Sequence, residues 1–300
     1  ARGRAGFVMS SQASSAGGGE AALRQKLVET GDVDLMIAIR SNFFYTRTVP
    51  CELWFLNRAK PEAHRDKVLM LDARNIYRKV TRKIYDFSPE QQQNLLAIVW
   101  LYRGENERFL DLISDYLAQV LEAAEACCEQ ETEDELLPGT VPGYLDAVAE
   151  LVESLRPFLD TLALDGPHAD TLAELDKAMD TFADDLEDFE DSVADATAKA
   201  GRLPDPSDGL STLTEQLAPL AETSRNLVKQ SDLLYKLATR LIETCEKACN
   251  AKDSNVWNSR DITRARKAAD AARQEAVEQL KQVRYFWRQA HWLVERFPEA

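Results

Sequence analysis

Ten consecutive residues, Ser41-Asn42-Phe43-Phe44-Tyr45-Thr46-Arg47-Thr48-Val49-Pro50, place three aromatic rings in a row between two apolar runs of strand length. A loop has no core-packing reason to hold that composition, so the rings read as part of a working surface. A second group follows: Arg74, Arg78, Lys79, Arg82 and Lys83, interleaved with Tyr77 and Tyr85. Such a patch can neutralise phosphates while its aromatics stack or pack, and it can equally be an ordinary solvated face; composition leaves both open. The five cysteines offer less. Cys127 adjoins Cys128, and Cys245 lies one helical turn from Cys249, without a second ligand pair at zinc spacing. They read as reduced thiols packed in helices, and no metal site is expected.

The elements that must position these groups are short strands. Residues 4–10 form an apolar run that ends in a Ser/Ala/Gly-rich stretch through Gly19, which reads as a strand followed by a loop. Ala21, Leu23, Leu27 and Val28 keep helical spacing up to Gly31, a C-terminal stop, and a second strand begins at Val33. Strand, helix, strand is a βαβ unit. Further runs begin at Cys51 and Lys67, and their continuous apolar character predicts a sheet covered on both faces. Ser88-Pro89-Glu90-Gln91 is a helix start, with Ser as N-cap, Pro at the first helical position and Gln placed to close a capping box.

Beyond Asn106 nearly everything is helical pattern, broken near Leu137-Pro138-Gly139, Asp165-Gly166-Pro167, residues 201–206 and Asp253-Ser254-Asn255. Leu172, Leu175, Met179, Phe182, Leu186, Phe189 and Val193 keep the alternating steps of a coiled-coil seam. Leu210, Leu213, Leu217, Leu220, Leu227, Leu234 and Leu241 make a second, with Ser224, Ser231 and Ala238 as its small members. Leu145, Val148, Val152, Leu155, Leu159 and Leu162 make a third, and Pro157 and Pro219 should kink or break their helices. The fold class is therefore α/β followed by mostly α, in three parts: 1–105, an acidic helical region 106–256, and a basic-then-aromatic helix 257–300.

Charge separates these parts. The chain carries 51 acidic and 36 basic residues, but residues 1–110 sum to +5, residues 111–200 to −22 and residues 201–300 to +2. The acidity is one block, and it disfavours DNA on the helix over 170–198, whose outer face reads as solvated or as a dock for a basic partner. The last helix instead has Arg260, Arg264, Arg266, Lys267 and Arg273 early, then Tyr285, Phe286, Trp287, Trp292 and Phe297 late. Those aromatics are expected to pack on the α/β part or on another subunit. No apolar run reaches membrane-spanning length and no signal pattern opens the chain, so a cytoplasmic protein is expected.

Several segments resemble a known family. Gly3-Arg4-Ala5-Gly6-Phe7-Val8-Met9, Asn42-Phe43-Phe44-Tyr45-Thr46 with Pro50, Leu53-Trp54-Phe55-Leu56, Leu71-Asp72-Ala73-Arg74 with Ile76-Tyr77-Arg78, and Ile98-Val99-Trp100-Leu101-Tyr102-Arg103-Gly104-Glu105 resemble the modification subunits of type I restriction-modification systems. The late Trp292-Leu293-Val294-Glu295-Arg296-Phe297-Pro298 is similar to the region near that family's C-terminal end. The resemblance implies an adenine-specific DNA methyltransferase that uses S-adenosyl-L-methionine. Residues 1–105 would be the second half of its Rossmann-like sheet, followed by a long-helix bundle. DNA, a specificity subunit and a restriction subunit would be its partners. It also implies that a flipped adenine is held against Phe44 and Tyr45, with Asn42 near the base edge or bonded to backbone. Phe43 is expected instead to pack in the core beneath the loop. Arg40 stands where relatives carry Pro, and Arg47 where they carry a small or apolar residue.

The family's Gly-rich cofactor loop and its Asn-Pro-Pro-Phe/Tyr segment lie upstream of the matching part, and this sequence contains no Asn-Pro pair. The expectation is a C-terminal fragment, not competent alone and without catalytic residues of its own, whose cofactor is bound mainly by upstream residues. The rival reading is a non-catalytic interaction protein built on a methyltransferase remnant, with the acidic helical arm as its functional part.

Overall fold

The structure is a computed structural model that describes residues 3–46, 48–128, 130–131, 136–137, 139–200 and 206–300. Arg47, Pro138 and residues 201–205, on which one loop expectation and two expected helix breaks fall, lie outside the described residues. The chain divides into two compact units, Ala1–Phe109 and Leu110–Ala300.

The first unit is built on a four-stranded sheet. β1 (Arg4–Ser10) leads through α1 (Gln12–Ser15) and α2 (Gly19–Glu29) to β2 (Val33–Ile39). β3 (Cys51–Asn57) and β4 (Leu69–Asp72) follow, and the sheet order is β1-β3-β2-β4. β3 runs antiparallel to both β1 and β2, so β1, β2 and β4 all point the same way. The βαβ unit exists with a later strand inserted between its two strands, a long-range pairing that local pattern does not encode. Gly31 closes α2 as expected: its φ of 72° is open to glycine at no steric cost, and its N–H reaches the Val28 carbonyl at 3.0 Å.

Burial follows the strands unevenly. β2 is buried along nearly its whole length, and Leu35, Ile37, Ile39, Cys51, Ala73, Leu95 and Val99 form a core. A sheet covered on both faces is not what the structure shows, because every residue of β1 is exposed, Met70 is 65% exposed and Leu23 of α2 is 69% exposed. The reason is position: β1 lies at the sheet's edge, with β3 on one side only. A two-stranded hairpin, β5 (Arg78–Thr81) and β6 (Ile84–Asp86), then leads into α3 (Pro89–Tyr102). The capping box of α3 is formed in full. Ser88 Oγ accepts from the Gln91 N–H at 3.2 Å, and Gln91 Oε1 accepts from the Ser88 N–H at 3.0 Å.

At the amino end of β2 the polar groups satisfy one another. Buried Asp34 accepts from Asn57 Nδ2 and Arg103 Nη2, each at 3.3 Å. Lys60 Nζ donates to the Val33 carbonyl at 2.7 Å and to the Lys67 carbonyl, and burial pushes its pKa down. These bonds tie β2, β3, β4 and α3 together at that end.

α4 (Asn106–Glu125) carries the chain across the unit boundary. The second unit holds α5 (Thr140–Leu159), α6 (Pro167–Ala200), α7 (Pro206–Gln216), α8 (Ala218–Ala248) and α9 (Ser259–Arg296). α8 packs on α6 and α9, and α9 packs on α5. Gln230 meets Asp185 while Arg240 meets Glu174, so α6 and α8 run antiparallel. The expected seams lie on the buried faces: Leu175, Phe182, Leu186, Phe189 and Val193 on α6, where Leu172 and Met179 are only partly buried, and Leu220, Leu227, Leu234 and Leu241 with Ser224, Ser231 and Ala238 on α8. α5 buries a wider face than its leucine pattern suggests, adding Val141, Tyr144, Leu151 and Phe158. The Tyr144 hydroxyl donates to the Ser231 carbonyl at 2.8 Å.

Pro219 marks a break, at the first turn of α8, where its missing N–H costs nothing. Pro157 is tolerated inside the last turn of α5. The late aromatics of α9 differ from expectation, since two of them find partners within the helical unit. Phe286 stacks on Tyr116 of α4 at 6.4 Å, and Trp287 Nε1 donates to the Thr214 carbonyl of α7 at 2.9 Å. α9 is thus a packed member of this unit: Ala269, Ala276, Leu280, Val283, Ala290 and Leu293 are all buried. The cysteines form no disulfide among the described residues, and burial pushes Cys127 and Cys128 up to about 12 and Cys245 to about 11. Among the described residues no helix is long and apolar enough to cross a membrane, and no group of three His, Cys, Asp or Glu could hold a metal.

Candidate nucleic-acid interface

Strand register decides where the aromatic loop lies. Cys51 pairs with both Ser10 and Ile39, and Asp72 pairs with Ala38, so the carboxyl ends of β1, β2 and β4 share one edge of the sheet. The loop over 40–50 leaves and re-enters the sheet there. In open α/β sheets that edge is where ligands bind. The Ser11 N–H also donates to the Pro50 carbonyl at 3.1 Å, which anchors the loop's end to the start of the β1–α1 connection.

Within the loop the three rings divide. Phe43 and Phe44 pack against the sheet core, and Phe43 meets Phe87 with centroids 4.5 Å apart, so Phe43 packs beneath the loop as its sequence position suggests. Tyr45 points outward and is 87% exposed. Asn42 makes the turn possible: its φ of 63° is a left-handed conformation that asparagine tolerates better than most residues. Its backbone carbonyl accepts from the Tyr85 N–H at 3.1 Å, and its side-chain amide makes no hydrogen bond among the described residues.

The β5–β6 hairpin and the connection before it carry the cations, and they are not equivalent. Arg74 makes two bonds to the Asp72 carboxylate, at 2.8 and 2.6 Å, and Arg78 makes two to Asp86, at 2.9 and 2.7 Å. Arg74 holds the Asp72 carboxyl down at about 2, and Arg78 holds Asp86 below the ordinary range. Both guanidinium groups are spent on neighbours. Lys79, Arg82 and Lys83 are exposed and have no carboxylate partner among the described residues. The unspent charge sits on the hairpin strand and its tip.

Two features were hidden from sequence reasoning. The hairpin itself lacks a Gly or Asn turn signal, because Arg82-Lys83 links its strands. Arg40 is the other: its guanidinium carbon lies 3.8 Å from the centroid of the Tyr77 ring and 3.8 Å from that of Tyr85.

Residues 1–122 match the N-6 DNA Methylase family. The resemblance to type I modification subunits is thereby shown for this part of the chain. The chain is 37% identical over 106 residues to the type I restriction enzyme MjaIX methylase subunit of Methanocaldococcus jannaschii, covering 35% of this chain and 19% of that protein. It is 34% identical over 73 residues to the MjaVII methylase subunit of the same organism, covering 24% and 13%, and 32% identical over 76 residues to the MjaVIII subunit, covering 25% and 13%. The matched part therefore spans about a fifth or less of these relatives' length.

That family implies S-adenosylmethionine, and the donor set at this edge does not fit the whole cofactor. A ribose needs a carboxylate free to accept from its hydroxyls. Here Asp72 is held by Arg74, and buried Glu52 already accepts from Ser14 Oγ and from Trp54 Nε1 at 3.1 Å. At the same edge Tyr45 is exposed, and Lys79, Arg82 and Lys83 have no carboxylate partner among the described residues.

Proposed function

We propose that residues 3–109 supply one wall of a pocket for an adenine swung out of DNA, in a protein that methylates DNA with S-adenosyl-L-methionine. The observation that carries this reading is the aromatic loop at the carboxyl edge of the sheet, bonded to a hairpin on which Lys79, Arg82 and Lys83 have no carboxylate partner among the described residues. Tyr45 offers an open face for stacking on the extruded base, Phe44 backs it from the core side, and the Asn42 amide is free to bond the base edge. Lys79, Arg82 and Lys83 contact the phosphate backbone, while Arg74 and Arg78 shape the surface through their carboxylate partners. The cofactor supplies the methyl group and is held mainly by other residues.

The test is Tyr45→Ala and Phe44→Ala in the full-length protein that carries this chain. Methylation should fall by about one to two orders of magnitude, the scale of one stacking contact, with cofactor binding nearly unchanged. Wild-type rates in both variants would remove the loop from the mechanism.

For the second unit we propose subunit assembly, with a DNA-specificity subunit and a restriction subunit as partners. The carrying observation is the exposed basic start of α9, where Arg260, Arg266 and Lys267 have no ion pair among the described residues, whereas Arg264 pairs with Asp261 and Arg273 with Asp232 and Asp270. Deleting the helix would strip the buried faces of α5 and α8 of their partner and destabilise the whole unit. Charge reversal at Arg260, Arg266 and Lys267 avoids that, and it should abolish co-purification with the specificity subunit. The exposed acids of α6, among them Asp176, Asp180, Asp184, Glu187 and Asp191, favour a second reading in which that arm docks a basic partner.

A further inference from the structure

We propose that Arg40 is a positioning residue: it locks the cationic β5–β6 hairpin to the aromatic loop, so that backbone contact and base insertion occur in one fixed register. This rests on the DNA-binding reading above. Arg40 is the first residue after β2, at the root of the aromatic loop. Tyr77 immediately precedes β5 and Tyr85 lies in β6. The two rings stand nearly perpendicular, at 85°, with centroids 5.1 Å apart, and one guanidinium lies 3.8 Å from both. A single side chain thereby grips the residue that enters β5 and a residue of β6.

The grip is made by rings, not by hydrogen bonds. Among the described residues Arg40 Nε is buried without a hydrogen-bond partner, so the flat guanidinium is retained by stacking and cation–π attraction. Two further contacts run alongside it: the Tyr85 N–H to the Asn42 carbonyl at 3.1 Å, and Phe43 against Phe87 at 4.5 Å. Gln91 of the α3 capping box adds a bond from Nε2 to the Tyr77 carbonyl at 3.1 Å, fixing the other side of the same tyrosine. The loop and hairpin, separated in sequence by β3 and β4, are one rigid piece around Arg40. Lysine cannot replace it, since a point charge lacks the plane that two rings enclose.

The experiment uses the full-length protein and a duplex with 2-aminopurine at the target adenine, with DNA affinity measured across a salt series. The hairpin variant Lys79→Ala/Arg82→Ala/Lys83→Ala tests the DNA reading alone. It should lower the log–log salt slope by about 2 to 3, at roughly 0.9 per phosphate lost; an unchanged slope removes the hairpin from DNA binding. Arg40→Leu tests the clamp. It should lower both affinity and 2-aminopurine fluorescence about tenfold, and Arg40→Lys should resemble it rather than wild type.

Combining Arg40→Leu with the hairpin variant should cost no further affinity, because the clamp acts on DNA through the hairpin. Additive losses, or a wild-type Arg40→Lys, would overturn the proposal while leaving the DNA reading intact. Should Arg40→Leu fail to fold, Tyr77→Leu removes one wall of the grip from a half-exposed ring. Its fluorescence must fall in the same way, and a folded, wild-type-like Tyr77→Leu also overturns the clamp.

Discussion

Phe44 and Tyr45 are neighbours in sequence with different structural duties, and their substitutions should separate stability from rate. Phe44 packs against the sheet core, so Phe44→Ala should cost roughly 1–3 kcal/mol of stability in addition to activity. Tyr45 is 87% exposed, and Tyr45→Ala should leave the melting temperature unchanged while methylation falls. Equal melting shifts in the two variants would contradict this division. Asp72 gives a titration of known sign. Its pKa, held at about 2 against an ordinary 3.8, lies below the unfolded value, so the Arg74 pair contributes above about pH 4 and is lost as pH falls toward 2. Carbon NMR should place the Asp72 midpoint near 2 and return it to the ordinary range in Arg74→Ala; the exposure of both partners keeps the stability effect small. At this scale the sequence was informative where a residue's duty is local, as with Phe43 under the loop. It was silent on the pairing of Arg74 and Arg78 with carboxylates and on the rings around Arg40, because those partners depend on the hairpin's register.

Elements announced by their ends were the most legible. Ser88 and Gln91 predict the start of α3, and both bonds of the box are present. Ser88→Ala should cost about 1 kcal/mol in urea denaturation. Gln91→Ala should cost a similar amount and in addition raise hydrogen exchange at Tyr85, since Gln91 also holds the Tyr77 carbonyl; unchanged exchange there would show the capping helix and hairpin to be independent. β5 and β6 were illegible because a two-residue Arg-Lys turn carries none of the residues that favour positive φ. The insertion of β3 between β1 and β2 was equally hidden, since non-local pairing leaves no mark on either strand's own sequence. The aromatic end of α9 was read as a surface in search of a partner, and two of its rings are instead satisfied by Tyr116 and Thr214 of nearby helices. Residue periodicity shows that a face must be covered, and it does not say by what.

The whole molecule is two units with opposite charge habits, a division that segment sums reveal and the contact pattern repeats near residue 109. In the helical unit the seams read from leucine spacing are the buried ones, so Leu234→Ala should cost about 2–5 kcal/mol in urea denaturation, with Leu164→Ala, 99% exposed, as the neutral control. Gly139 was read only as part of a helix break, yet a Cβ there would overlap the carbonyl groups of Cys127 and Cys128, which makes the glycine obligatory for this approach of backbones. The grip of Arg40 on Tyr77 and Tyr85 bears on how such a protein can be rebuilt. Two loops that look like separate cassettes are joined by one side chain, so transplanting residues 40–50 from a relative should fail unless residues 77–87 travel with them.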